Sequence, residues 1–92
     1  MKFKWDENKR LKNVRKHGLD LADAPEIFTK PMVIRLDTRE EYDEDRFVSI
    51  GVLKNQVVIV VYSEPDANTI RIISLRKAVK REQKLYYKSI SY

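Results

Sequence analysis

Arg46-Phe47-Val48-Ser49-Ile50-Gly51-Val52-Leu53-Lys54-Asn55-Gln56-Val57-Val58-Ile59-Val60-Val61-Tyr62 is the stretch that decides the fold. It holds two apolar, β-branched runs separated by a short polar link. Such runs favour extended backbone, because branched side chains pack well on a pleated surface. The spacing predicts one strand from Arg46 to Leu53 and another from Val57 to Tyr62, with Lys54-Asn55-Gln56 as a tight hairpin loop. The second run is nearly all apolar, so it reads as a central strand buried on both faces. The first is less regular, and Gly51 is a candidate bulge.

Toward the C-terminus, Glu64-Pro65-Asp66-Ala67-Asn68 is a turn-rich loop leading to a strand from Ile70 to Leu75. A last helix is expected to start around Leu75-Arg76, with Ala78, Val79, Glu82, Leu85 and Tyr86 at three- and four-residue spacings and Lys80 and Lys84 bracketing Glu82 on the exposed side. Toward the N-terminus, Met32-Val33-Ile34-Arg35-Leu36 gives one more strand. Before it, Leu21, Ala24, Ile27 and Phe28 recur at helical spacing, with Asp20 and Asp23 as possible caps. Pro25 fits only a first turn, which argues for a start near Asp23 or for a distorted turn before it, and Pro31 closes the segment.

Asp6 can cap an earlier helix, Glu7 adds favourable charge there, and Gly18 can end it in a left-handed conformation. Leu11 and Val14 form that helix's narrow apolar stripe. Phe3-Lys4-Trp5 suits a short strand or an extended arm. Four mostly sequential strands with short links imply an α+β fold: two N-terminal helices, a four-stranded mainly antiparallel sheet with helices against one face, and a C-terminal helix. With 92 residues, the chain is expected to form a single domain over 1–92.

Composition narrows the function classes. There is no cysteine and one histidine, which excludes disulfides, thiolate metal sites and multi-histidine metal sites. No apolar run approaches a membrane span, and Met1-Lys2-Phe3-Lys4-Trp5-Asp6 lacks the apolar stretch of a secretory signal, so a cytoplasmic location and no membrane are expected. The net charge of +5 is unevenly spread. Residues 1–19 carry seven Lys/Arg against two Asp/Glu, residues 20–45 three against nine, and residues 46–92 nine against three. Two basic segments therefore flank an acidic one, and a polyanion could use the basic parts.

Four groups of residues could carry chemistry. His17 lies in the basic run Asn13-Val14-Arg15-Lys16-His17-Gly18, and histidine is the residue type suited to proton transfer near neutral pH. Spacing alone favours a structural histidine at a helix end; its functional role would be proton transfer near a phosphate. Arg71 and Arg76, in Arg71-Ile72-Ile73-Ser74-Leu75-Arg76, could clamp a phosphate with their guanidinium forks, or could form ordinary ion pairs such as Arg71 with Glu44. Strand alternation puts Arg71, Ile73 and Leu75 on one face. The carboxylates Asp37, Glu40, Glu41, Asp43, Glu44 and Asp45 lack the glycine and spacing of a calcium loop and read as a solvated loop or a surface for a basic partner. Arg46, just after them, could point into the same cleft as Arg71. Tyr62, Tyr86, Tyr87 and Tyr92 could stack on RNA bases, while Trp5, Phe28 and Phe47 read as core.

Taken in order, Phe3-x-Trp5-Asp6, Lys9, Asn13-x-x-Lys16-His17-Gly18, Leu21-x-x-Ala24-x-x-x-Phe28, Glu44-x-Arg46, Gly51, Tyr62, Arg71-Ile72-Ile73-Ser74-x-Arg76-x-Ala78, Glu82 and Tyr86 resemble the BrnT family, the toxins of bacterial type II toxin–antitoxin pairs. The likeness covers residues 3–87. Leu21 stands where an aromatic is usual and Leu75 where alanine is usual, both apolar for apolar. The resemblance implies a RelE-like fold, RNA cleavage that stops translation and growth, and neutralisation by a BrnA-like ribbon-helix-helix antitoxin, with operator DNA bound only through the antitoxin complex.

On this basis the leading expectation is a metal-independent endoribonuclease with no cofactor. Arg71, Arg76 and Arg46 would supply positive charge, His17 or Glu44 would move the proton, and Lys9, Lys16, Tyr62 and Tyr86 would bind RNA. The alternatives are a toxin on the same scaffold that acts on a protein target such as gyrase, and a non-catalytic RNA-binding module.

Overall fold

A computed structural model describes residues 1–91; Tyr92, one of the aromatic candidates, lies outside the described residues. The elements are β1 (Lys2–Trp5), α1 (Glu7–His17), a 3₁₀ segment (Leu21–Thr29), β2 (Val33–Leu36), β3 (Arg46–Leu53), β4 (Gln56–Asp66), β5 (Thr69–Lys77) and α2 (Lys80–Ile90). The sheet has five strands in the order β1-β5-β4-β3-β2. Phe3-Lys4-Trp5 supplies the fifth strand, β1, which pairs parallel to β5, so the sheet is mixed. The other pairings are antiparallel.

The hairpin forms where its sequence places it, with Gln56 in the strand instead of the loop. Leu53 pairs with Gln56, leaving Lys54 and Asn55 as a two-residue turn. Both have positive φ, 50° and 65°, as a turn matched to the strand twist requires. Gly51 does not mark a bulge, because the β3–β4 register is unbroken from Arg46↔Ser63 to Leu53↔Gln56. A Cβ there would collide with the Ile27 side chain, so glycine lets the 3₁₀ segment approach the sheet.

β4 is the middle strand and is buried on both faces, as its composition implies. Each face therefore needs a cover, and helices lie on both faces rather than on one. On the first face Val58, Val60 and Tyr62 join Ile70, Ile72 and Leu75 beneath Leu21, Ala24 and Ile27 of the 3₁₀ segment. On the second, Val57 and Ile59 join Ile50, Ala78 and Tyr86 of α2. Each fully buried Leu or Ile contributes about 1.5–3 kcal/mol.

Three helix expectations change. The segment after α1 starts at Leu21, with Asp20 accepting from Ala22 N at 2.9 Å, and winds as a 3₁₀ helix with Pro25 inside it. The last helix starts at Lys80, not at Leu75-Arg76, because Leu75 and Arg76 are held in the ladder opposite Val60 and Ile59. In α1, Asp6 and Gly18 cap the ends as expected. Its apolar stripe, however, stays at the surface: Leu11 is 44% and Val14 41% exposed. The anchor is Asn13, whose amide donates to Leu19 O (2.7 Å) and Leu75 O (2.9 Å) and accepts from Leu75 N (3.1 Å). β1 pairs with β5 only as far as Ile72, and the Asn13 amide takes over the edge groups beyond it.

Candidate active site

The site is built by a register shift. Across β4 and β5, Ser63 faces Arg71 and Tyr62 faces Ile72, but Val61 faces Ser74. Ile73 is therefore an extra residue, a β-bulge, and side-chain alternation slips by one past it. Simple alternation separates Arg71 from Arg76; the bulge puts Arg71, Ser74 and Arg76 on one face, opposite Ile72 and Leu75.

Directly paired residues share a face, so three rows cross this side of the sheet. The first is Lys4, Arg71, Ser63 and Arg46; the second is Ser74, Val61 and Val48; the third is Arg76, Ile59 and Ile50. α2 packs at the third row, where Tyr86 and Leu85 meet Ile50 and Ile59. Val48, Val61 and Ser74 in the second row remain part-exposed. An open surface with a basic border results.

Glu44 sits over the first row. Its Oε1 accepts from Ser63 Oγ at 2.7 Å and from Arg71 Nη1. The preceding loop is fixed at the backbone by Asp37 N donating to Arg46 O (2.7 Å) and Glu64 N donating to Asp45 O (3.2 Å). Arg46 lies with its guanidinium carbon 3.9 Å from the centroid of the Tyr42 ring, and its buried Nε has no hydrogen-bond partner among the described residues. Tyr42 in turn donates its hydroxyl to Asp37 Oδ2 at 3.2 Å. Asp37 also accepts from Arg39 Nε (2.9 Å), Arg39 Nη2 (2.8 Å) and Arg39 N (3.2 Å). That guanidinium holds the buried Asp37 carboxyl well below the usual carboxylate range, despite the opposing effect of burial.

Arg76 is held differently. Its fork makes two parallel bonds to Glu82, Nη1 to Oε1 at 2.9 Å and Nη2 to Oε2 at 2.8 Å. Glu82 Oε1 also accepts from Val79 N at 2.8 Å, which closes the start of α2. The paired bonds raise the Arg76 pKa and lower that of Glu82.

Lys9, Lys16 and His17 meet along the free edge of β5. With Lys12 they surround a hollow floored by Ile73 and Ser74. The two tyrosines expected to bind RNA do not reach this surface. Tyr62 is 2% exposed, packed between Phe28 and Phe47 at ring distances of 5.0 and 5.2 Å. Tyr86 is as deeply buried, and its hydroxyl donates to Pro31 O at 2.8 Å. Neither has a free ring face for a base. Tyr87 is exposed, but it lies on α2 and packs against Tyr86.

Ser63, Tyr42 and Asn13 were not given roles by the sequence reading. A polar residue in an otherwise apolar strand was a usable signal for Ser63; nothing local marks Tyr42. Among the described residues no group of three or more His, Cys, Asp or Glu side chains is placed to hold a metal ion. No helix there is long and apolar enough to cross a membrane.

The family model described as "Ribonuclease toxin, BrnT, of type II toxin-antitoxin system" matches residues 5–82. Among solved structures, the chain is similar to the Brucella abortus ribonuclease toxin BrnT, with 30% identity, a TM-score of 0.66, and coverage of 87% of this chain and 99% of that one. A search of curated proteins gave no match.

Proposed function

The chain belongs to the BrnT family of ribonuclease toxins of type II toxin–antitoxin systems, and on that premise we propose that the open sheet face is a metal-independent endoribonuclease site. The supporting observation is the Glu44 carboxylate shared between Arg71 and Ser63, with Arg46 in the same row. A ribose 2′-OH attacks the adjacent phosphorus and the P–O5′ bond breaks, leaving a 2′,3′-cyclic phosphate and a 5′-OH. Three things are needed: a group to accept the 2′ proton, positive charge on the phosphorane, and a proton for the leaving oxygen.

Arg71 supplies the charge nearest the reaction. It is half-exposed and bound to one carboxylate oxygen, so an RNA phosphate can displace Glu44 from it. Glu44, once displaced, is the proton acceptor, with Ser63 keeping it oriented. His17 is the remaining group able to supply a proton. Arg76 and Arg46 are fixed cations beside the phosphate, and Lys9 and Lys16 hold the RNA strand, so binding weakens steeply with salt.

In the cell this activity inhibits translation and growth, in the cytoplasm, until a BrnA-like ribbon-helix-helix antitoxin covers the basic face; operator DNA is bound only through that complex. Purified protein incubated with RNA in excess EDTA tests the chemistry. Fragments ending in cyclic phosphate and 5′-OH are expected. Cleavage that needs added Mg²⁺ would contradict it.

A further inference from the structure

The hollow between α1 and β5 borders the reaction site through Lys9, Lys16 and His17, yet its floor, Ile73, has no role in the reaction just described. Ile73 is the extra residue of the bulge, and it belongs to neither buried core. It remains part-exposed as the apolar floor of a depression of about 310 Å³. β1 ends opposite Ile72, so no strand covers this edge. The walls come from one face of α1: Lys9, Lys12 and Lys16 fall at three- and four-residue spacing, and His17 closes the end. Asn13, on the same face, has its amide fully engaged with Leu19 and Leu75, which fixes α1 against the strand edge.

We propose that this hollow is a nucleobase subsite, holding one unpaired base of the RNA strand beside the scissile phosphate. A base needs an apolar or aromatic surface against its faces and cations for the phosphates on either side. The hollow provides Ile73 and the His17 imidazole for the first and three lysines for the second. Ser74 connects it to the reaction. This residue lines the hollow and also lies between Arg71 and Arg76 on the sheet face, two residues or about 7 Å from Arg76 and three residues from Arg71 across the bulge. A phosphate held at Arg71 thus has its neighbouring base within reach of Ile73. The same bulge that aligns the two arginines creates the floor on which the base rests. An acidic protein segment could also meet the lysines, but it would have no use for a branched apolar side chain and an imidazole lining the same hollow.

The proposal rests on the ribonuclease reading, and the two can be tested apart. Cleavage of an all-ribose oligonucleotide reports on the reaction. Binding of the same sequence with a 2′-deoxy sugar at the scissile position, which cannot be cut, reports on the subsite. In that uncleavable strand the bases are removed one at a time, leaving abasic sugars. Loss of one particular base, adjacent to the deoxy sugar, is expected to weaken binding to the wild-type protein roughly tenfold, with other positions within about twofold. Ile73→Ala and His17→Ala should each shrink that penalty while retaining the salt-dependent binding of the strand. Abasic scanning of the wild type that shows no sensitive position overturns the subsite, whatever the variants do. So does a penalty undiminished in both variants, or competition by an acidic peptide but not by the base-containing strand. Failure to cleave the all-ribose strand, with the abasic penalty intact, would instead overturn the reaction and leave the subsite standing.

Discussion

Two arginines on one face of β5 each meet a glutamate, and the two pairs are built for different purposes. Both arginine side chains are 41% exposed. Arg76 commits two nitrogens to both oxygens of Glu82, and Glu82 also caps α2 through Val79 N. Breaking that pair frees an arginine but unties a helix from a strand. Arg71 commits Nη1 to one oxygen of Glu44, which it shares with Ser63, and Glu44 sits in a loop rather than at a helix start. Breaking this pair releases an arginine and a carboxylate on an open surface while leaving the fold in place. The contrast teaches that an Arg–Glu contact is a latch or an exchangeable site according to what else depends on the carboxylate.

Substitutions can break this contrast, and the largest effect is expected at Glu44. Glu44→Gln keeps the shape and loses the proton acceptor, so RNA cleavage should fall by about 100-fold or more while the melting temperature holds. Gel-based cleavage rates and a thermal melt check both. Arg76→Ala should lower the cleavage rate less than Arg71→Ala does, because Arg76 stands beside the phosphate without binding it, and should also lower stability. Solvent screening limits the pair itself to about 1 kcal/mol, which lowers the melting temperature of a domain this size by about 4–8 °C.

A smaller effect separates the pairs by pH. The Arg76 fork holds the Glu82 carboxyl below its ordinary value, so the stability it contributes is present above the normal carboxylate range and is lost as pH falls through the lowered Glu82 value. Arg76→Ala should therefore flatten the acid limb of the stability curve below about pH 4, seen in urea melts at stepped pH. The smallest change is expected from Arg71→Lys, which keeps the charge and loses the fork: its melting curve should overlay the wild type within about 1 °C, because an exposed pair of this kind adds little stability.

Much of the frame was legible in residues 46–62. Branched apolar runs with a short polar link gave the hairpin, and an all-apolar second run gave the central strand. What escaped were non-local events. β1 finds its parallel partner on the far side of the chain, and no local pattern announces that pairing. The bulge at Ile73 is a single extra residue in an otherwise regular strand. Period-two alternation therefore put Arg71 with Leu75 and apart from Arg76, the reverse of the folded arrangement. The arginines and Glu44 were visible because charged residues in or beside apolar strands stand out. Tyr62 and Tyr86 misled for the complementary reason: an aromatic ring suits an RNA base and a protein core equally well, and here packing took both.

The central claim is that Arg71, and not its neighbour's latch, meets the RNA phosphate. The most direct measurement is the cleavage rate of Arg71→Ala in EDTA, with its melting temperature recorded on the same sample. The expected result is a loss of about 3 kcal/mol of transition-state stabilisation, roughly 100-fold in rate, at an unchanged melting temperature. A folded Arg71→Ala protein that cleaves RNA at the wild-type rate would contradict the account.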